Sequence, residues 1–98
     1  MDRLAIVVPC YNEEEVFPET ARQLTERVKD LIEKQKIAEN SFILFVNDGS
    51  RDRTWPLIRA EFEKNPYVFG LNLAGNVGHQ AALLAGLMTV KDLADVSI

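Results

Sequence analysis

Three short polar stretches carry the side chains of this sequence that could bind a ligand, and each follows a predicted strand, of which the first two are unbroken apolar runs. "PCYNEEE" follows Leu4–Val8, "NDGSRD" follows Phe42–Val46, and "AGNVGHQ" follows Tyr67–Leu73. The pair Asp48 and Gly49 can serve a tight turn through shape alone. A carboxylate at the end of a strand can also accept a hydrogen bond from a ligand, so the surrounding elements have to decide between the two roles.

The apolar runs predict strands, because runs without alternation are typical of strands buried on both faces. Helical periodicity fills the segments between them. We expect Asn12 and Glu15 to form a capping box at the start of the first helix. The second helix is predicted to be capped by Asp52 or Thr54, with Pro56 in its first turn.

The third helix is predicted over His79 to about Lys91. Its "ALLAGLM" segment is apolar nearly all round, and a helix of that kind needs cover on two sides. A fourth strand is expected to begin in "LADVSI". The order β-α-β-α-β-α-β predicts an α/β fold in three layers, with a parallel sheet between helices and right-handed crossovers.

Such a sheet would bring the three polar stretches together, since ligands of these folds bind beyond the carboxyl ends of the strands. We expect Tyr11, Asn12, Glu13, Asp48 and the 76–79 loop on one edge. A nucleotide suits that edge, but neither a G-x-G-x-x-G nor a G-x-x-x-x-G-K-[ST] motif is present. Carboxylates repel a diphosphate unless a divalent cation lies between them. We therefore expect Asp48 to accept an N–H of a nucleobase and Tyr11 to stack on the base.

Composition excludes several classes of function. The 98 residues carry a net charge of -4 with no basic run, which argues against nucleic-acid binding. The single cysteine, Cys10, allows no internal disulfide and no cysteine metal cluster, and it is expected to be a small packing residue. No stretch reaches the roughly 20 apolar residues of a membrane span, and the start lacks the pattern of a signal peptide.

Three motifs in order resemble those of family-2 glycosyltransferases with the GT-A fold: "VVPCYNEEE", "FVNDGSRDRT" and "NVGHQAALLAGL". The sequence looks most like the polyprenyl-phosphate branch, which includes dolichyl-phosphate mannose synthase and the bacterial enzymes that glucosylate undecaprenyl phosphate. The likeness covers Leu4 to Ile98. It implies the Rossmann-like, nucleotide-binding half of a GT-A domain. The implied parent enzyme transfers a sugar from a UDP- or GDP-linked donor to polyprenyl phosphate.

The resemblance also assigns residues to the nucleotide pocket, with Asp48 against the base and Tyr11 packed on it. The full set is Pro9, Tyr11, Asn12, Glu13, Asp48, Asn76 and Gly78. It places no catalytic residue in this chain. The family's Asp-x-Asp motif, which holds Mg²⁺ or Mn²⁺ against the donor diphosphate, is expected just beyond Ile98. Residues 1–98 are thus expected to be the N-terminal nucleotide-sugar-binding part of a single domain, inactive alone.

One departure from the family pattern concerns the third motif. Ala74 and Gly75 stand where the family usually carries a Ser-Arg pair before the asparagine, which removes a cation that could face the base or a phosphate. The lone histidine, His79, is expected to be structural. The parent protein is expected at the cytoplasmic face of the membrane, and its oligomeric state, homo-oligomer included, stays open.

Two functions of other classes remain open on the sequence. The chain could be a flavodoxin-like signalling receiver with Asp48 as phosphoacceptor, and Glu13 and Glu14 as its further acidic groups. It could also be a non-catalytic interaction domain that binds a partner through the apolar helix Ala81–Met88.

Overall fold

A computed structural model describes residues 1–98 and contains the four strands and three helices that the sequence predicts. The strands are β1 (Leu4–Cys10), β2 (Phe42–Asn47), β3 (Val68–Asn72) and β4 (Val96–Ser97). The helices are α1 (Phe17–Glu33), α2 (Thr54–Lys64) and α3 (His79–Val90). All strand pairs are parallel, in the order β3-β2-β1-β4. The prediction of a three-layer α/β fold is confirmed.

The strand order also decides one of the open alternatives. A flavodoxin-like receiver has the order 2-1-3-4-5, in which the first strand lies between the second and the third. Here β2 lies between β1 and β3. The hypothesis of a signalling receiver is therefore wrong.

The central strand β2 explains why its sequence is apolar almost throughout. All six of its residues are buried, because helices cover both faces of the sheet. Ile43 and Phe45 pack in the cluster under α1 and α2, whereas Phe42, Leu44 and Val46 pack in the cluster under α3. Burial of each such side chain contributes roughly 1.5–3 kcal/mol, so β2 anchors both layers.

The third helix approaches the sheet through a glycine. A Cβ atom at Gly86 would lie 2.4 Å from a methyl carbon of Val7 and 2.8 Å from one of Val46, so a larger residue would push the helix away. On the outer side of α3, Leu84 and Met88 are 58% and 59% exposed. The sheet covers one side of this apolar helix, and its other side is uncovered in this structure.

The first helix starts later than the sequence suggested. It begins at Phe17, with Val16 at the N-cap position and Pro18 in its first turn. The predicted capping box of Asn12 and Glu15 is wrong, because Asn12 has a φ of 51° and its side chain bonds another loop.

The second helix begins at Thr54 with Arg53 at the N-cap position. The prediction that Asp52 or Thr54 occupies the cap is therefore wrong. Pro56 does lie in the first turn, where its missing N–H costs no intrahelical bond.

Candidate functional site

A single row of paired residues defines the carboxyl edge of the sheet. Cys10 pairs with Asn47, and Asn47 pairs with Asn72. The side-chain amide of Asn47 donates to Oδ1 of Asn72 at 2.8 Å. The polar stretches thus leave the sheet side by side as the first loop (residues 11–16), the second loop (48–53) and the third loop (73–78).

Three consecutive backbone N–H groups of the first loop are taken by oxygen atoms of the second loop and of α2. Asn12 N–H donates to Ser50 Oγ at 2.9 Å, Glu13 N–H to Thr54 Oγ1 at 2.8 Å, and Glu14 N–H to Asp52 Oδ2 at 3.2 Å. Successive N–H groups of this kind would otherwise form a concave anion site. Because they are already bonded, the first loop offers a ligand its side chains rather than its backbone.

The Asp52 carboxylate receives three hydrogen bonds. Its donors are the N–H of Glu14, the N–H of Thr54 at 2.9 Å and the hydroxyl of Thr54 at 2.5 Å. Loss of hydration tends to raise the pKa of Asp52, but the bonds from Thr54 and Glu14 outweigh it and the pKa lies below its usual range. Asp52 is therefore ionised at neutral pH.

Asp48 joins the second loop to the third. Its side chain is buried, with 1% of the residue exposed. Oδ1 accepts the N–H of Val77 at 2.7 Å, and Oδ2 accepts the N–H of Gly78 at 3.0 Å. The side-chain nitrogen of Asn76 donates to the Asp48 carbonyl oxygen at 3.2 Å. In this structure the carboxylate holds the third loop, and a ligand would reach it only if that loop moved.

Gly49 allows the third loop to come this close. Its φ is 67°, which favours glycine. A Cβ atom there would lie 2.5 Å from the backbone nitrogen of Asn76 and 2.6 Å from the carbonyl carbon of Gly75. Both neighbours are backbone atoms, so no change of side-chain rotamer could relieve the clash.

Cys10 lies beneath the first loop and is buried, as the sequence predicts. Burial, followed by the negative charge of Glu13, raises the pKa of the Cys10 thiol to about 12. The thiol is neutral at physiological pH and is no nucleophile.

Residues 5–92 of the chain match the model of glycosyl transferase family 2. The chain belongs to this family. It is 64% identical over 95 residues to the uncharacterized glycosyltransferase YkoT of Bacillus subtilis (strain 168), a match that covers 97% of this chain and 28% of that protein. It is 36% identical over 88 residues to a prophage bactoprenol glucosyl transferase homolog of Escherichia coli (strain K12), over 87% of this chain and 26% of that protein. The family-2 chain thus spans about a quarter of the length of these relatives.

A solved structure has the same fold. The chain superposes with a TM-score of 0.61 and 22% identity on a mannosyltransferase from Pyrobaculum calidifontis in complex with GDP-Man and Mn²⁺. The match covers 90% of this chain and 24% of that chain. The expectation of a Rossmann-like GT-A architecture is confirmed.

All the predicted pocket residues of the family-2 chain lie at or beside the carboxyl edge. Tyr11, Glu13 and Gly78 are half-buried, Asn12 and Asn76 are exposed, Asp48 is buried, and Pro9 pairs with Val46 inside the sheet. Sequence reasoning missed Ser50 and the bonds that Asp52 and Thr54 make to the first loop. The available signal was the alternation of oxygen-bearing side chains at positions 50, 52 and 54.

The structure contains no group of three or more His, Cys, Asp or Glu side chains that could hold a metal ion. None of the three helices combines the length and the apolar character needed to cross a bilayer.

Proposed function

We propose that residues 1–98 form the nucleotide-binding part of a glycosyltransferase that moves a sugar from a UDP- or GDP-linked donor to polyprenyl phosphate. The observation that carries this proposal is the carboxyl edge, where three loops are hydrogen-bonded into one surface. The bactoprenol glucosyl transferase homolog supports the lipid acceptor by its name. The parent protein would then act at the cytoplasmic face of the membrane.

In this proposal the nucleoside lies against the first and third loops. Tyr11, half-buried directly after β1, stacks on the base. Asn12, Glu13, Asn76 and Gly78 border it, and Pro9 supports the start of the first loop. A hydrogen bond from a base N–H to Asp48 requires the third loop to move, since both carboxylate oxygens now accept the amides of Val77 and Gly78.

The diphosphate needs a partner that these residues do not supply. The first-loop amides are already bonded, and the residues nearest the edge include the carboxylates of Glu13 and Glu14. We propose that Mg²⁺ or Mn²⁺, with ligands that follow Ile98, neutralises the diphosphate when bound. The Mn²⁺ in the complex of the Pyrobaculum calidifontis mannosyltransferase supports a divalent metal in this fold.

An NMR titration tests the pocket directly. The ¹⁵N-labelled chain, first shown to be folded by its amide dispersion, is titrated separately with UDP and GDP. We expect the amides of Tyr11, Glu13 and Gly78 to shift, while Val28 and Thr25 in α1 stay in place. If neither nucleotide moves the edge amides of a folded protein, the nucleotide-binding proposal is wrong.

The acceptor needs a separate experiment with the complete protein that carries this sequence. Radiolabelled UDP-glucose or GDP-mannose is incubated with undecaprenyl phosphate and either Mg²⁺ or Mn²⁺. The proposal expects label in the organic phase that depends on both lipid and metal. Label transferred only to a water-soluble acceptor would support the transferase activity and contradict the lipid acceptor.

The outer side of α3 favours a second candidate, an interaction domain. Leu84 and Met88 are both more than half exposed and lie one turn apart. Self-association in sedimentation experiments, abolished by Leu84→Lys and accompanied by no nucleotide binding, would favour this function over the first.

A further inference from the structure

The second loop carries more hydrogen-bond acceptors than its turn requires. Gly49 and the Asp48 backbone make the turn itself, whereas Asp52 and Thr54 reach across to the first loop. Thr54 is 0% exposed although it stands at the first position of a surface helix. A buried hydroxyl needs at least one hydrogen-bond partner.

The Thr54 hydroxyl has two hydrogen-bond partners, and their positions fix the direction in which its proton points. Its hydroxyl donates to Oδ1 of Asp52 at 2.5 Å, so the lone pair is left to accept the N–H of Glu13 at 2.8 Å. The other oxygen of Asp52 accepts the N–H of Glu14. One ionised carboxylate thereby orients a hydroxyl and binds a neighbouring amide, and together they hold two successive peptide units.

The segment that they hold begins with a residue in the left-handed region. Asn12 has a φ of 51°, a conformation that asparagine tolerates better than most residues with a Cβ. The hydrogen bonds around it determine which way the first loop leaves β1. Ser50 and the Thr54–Asp52 pair supply those contacts on either side of it.

We propose that Asp52 and Thr54 are positioning residues for the nucleotide pocket, which hold the first loop so that Tyr11 and Glu13 face the donor. This inference rests on the proposed function and names residues that do not themselves touch the ligand. Loss of the Thr54 hydroxyl would release the Glu13 amide and let the first loop relax. A side chain displaced by about 1 Å loses much of its contact with a ligand.

The test compares Thr54→Val, which removes the hydroxyl and keeps the volume, with Thr54→Ser, which keeps the hydroxyl. Thr25→Val is the matched control, because Thr25 is also buried and its Oγ1 also accepts one hydrogen bond, from Asn65 at 3.0 Å. Nucleotide dissociation constants, urea midpoints and the hydrogen-exchange rate of the Glu13 amide are measured for each variant. The nucleotide is whichever of UDP and GDP binds the wild type.

We expect Thr54→Val to weaken nucleotide binding about tenfold, the effect of one buried hydrogen bond, and to speed exchange at Glu13. Thr54→Ser should remain within about twofold of the wild type. Thr25→Val should lower the urea midpoint and leave nucleotide affinity unchanged. If Thr54→Val does not fold, Asp52→Asn at the loop surface replaces it, with weaker binding and faster exchange at Glu14 expected.

The same measurements distinguish a failure of nucleotide binding from a failure of the positioning role. If the wild type binds neither nucleotide, the proposed function fails and the positioning role fails with it. If the wild type binds but Thr54→Val binds equally well, only the positioning role is overturned. Equal losses of affinity in Thr54→Val and Thr25→Val would mean that both act through stability alone, which also overturns it.

Discussion

The two edges of the sheet share one kind of hydrogen bond and differ in another. At the carboxyl edge, short side chains bearing oxygen, above all Asp48 and Thr54, accept backbone N–H groups. At the amino edge, Asp95 and Ser41 accept backbone N–H groups in the same way, but a long cation is added: the guanidinium of Arg3 donates to the carbonyl oxygens of Asn40 and Leu93, both at 2.8 Å. It also lies over the ring of Phe42, 4.9 Å from its centre.

The groups bonded in this way belong to the loops and not to the ends of the helices. The amides of residues 12–14 and 77–78 precede the first residues of α1 and α3. The carbonyl groups of Asn40 and Leu93 follow the last residues of the same two helices. The difference is one of side-chain length: the long Arg3 side chain reaches two carbonyl groups of separate segments, whereas the short Asp48 side chain accepts two successive amides of one loop. The edge proposed to bind the nucleotide is the one held by short side chains alone.

Gly49→Ala should disturb the carboxyl edge most. Alanine at position 49 would have to keep the positive φ of this glycine, and its Cβ would collide with the Asn76 backbone. We therefore expect a loss of about 3 kcal/mol in the free energy of unfolding by urea. Gly75→Ala is the control from the same loops, since a Cβ there meets nothing within 4 Å. Equal destabilisation by the two substitutions would contradict the close approach at Gly49.

Asp48→Asn should come next. The amide that replaces one carboxylate oxygen would face the N–H of Val77 or Gly78, which leaves a buried donor without an acceptor. The expected cost is about 2 kcal/mol, with large shifts of both amides in NMR spectra. Asp95→Asn is the comparison at the amino edge, where an exposed carboxylate accepts the Arg3 N–H, and it should cost far less. A greater loss of stability for Asp95→Asn than for Asp48→Asn would contradict the larger contribution of the carboxyl edge.

Arg3→Met should lower stability by about 1 kcal/mol, because it removes two hydrogen bonds at an exposed site and keeps the aliphatic stem. The affinity for UDP or GDP should not change, since Arg3 lies at the other end of the strands. Urea unfolding and a nucleotide titration of the same sample measure both. Weakened nucleotide binding at unchanged stability would show that the edges are coupled.

The smallest effect concerns pH. The pKa of Asp52 is lower in the folded chain than its ordinary value of 3.8, so its ionised form stabilises the fold above that value, and this stabilisation is lost as the pH falls through the folded pKa. The difference in urea midpoint between wild type and Asp52→Asn should therefore be larger at pH 7 than at pH 3. A difference that grows on acidification would mean that the carboxylate is not the stabilising form.

The sequence predicted the sheet and the meeting of the three polar stretches at its carboxyl edge, because both follow from local patterns. Unbroken apolar runs mark strands covered on both sides, and the polar residues directly after each run must then meet at one edge. The strand ends and the third helix from His79 agree closely with those expectations.

The details that failed depend on contacts between distant residues. Asn12 and Glu15 have the spacing of a capping box, yet the Asn12 side chain accepts the N–H of Arg51, 39 residues away. The partners of Asp48 are likewise 29 and 30 residues distant. No local pattern specifies such pairs, so the sequence predicted the position of Asp48 at the edge without indicating that the third loop covers it.

The alternation of Ser50, Asp52 and Thr54 against three successive amides makes the second loop sensitive to length. Surface loops usually accept insertions and deletions. Here one residue inserted between positions 50 and 54 would move at least one acceptor out of hydrogen-bond distance of its amide, whatever the side chain of the inserted residue. Homologous proteins and engineered variants should thus keep the number of residues between positions 50 and 54, and changes of identity should concentrate at Arg51 and Arg53, whose side chains make none of these bonds.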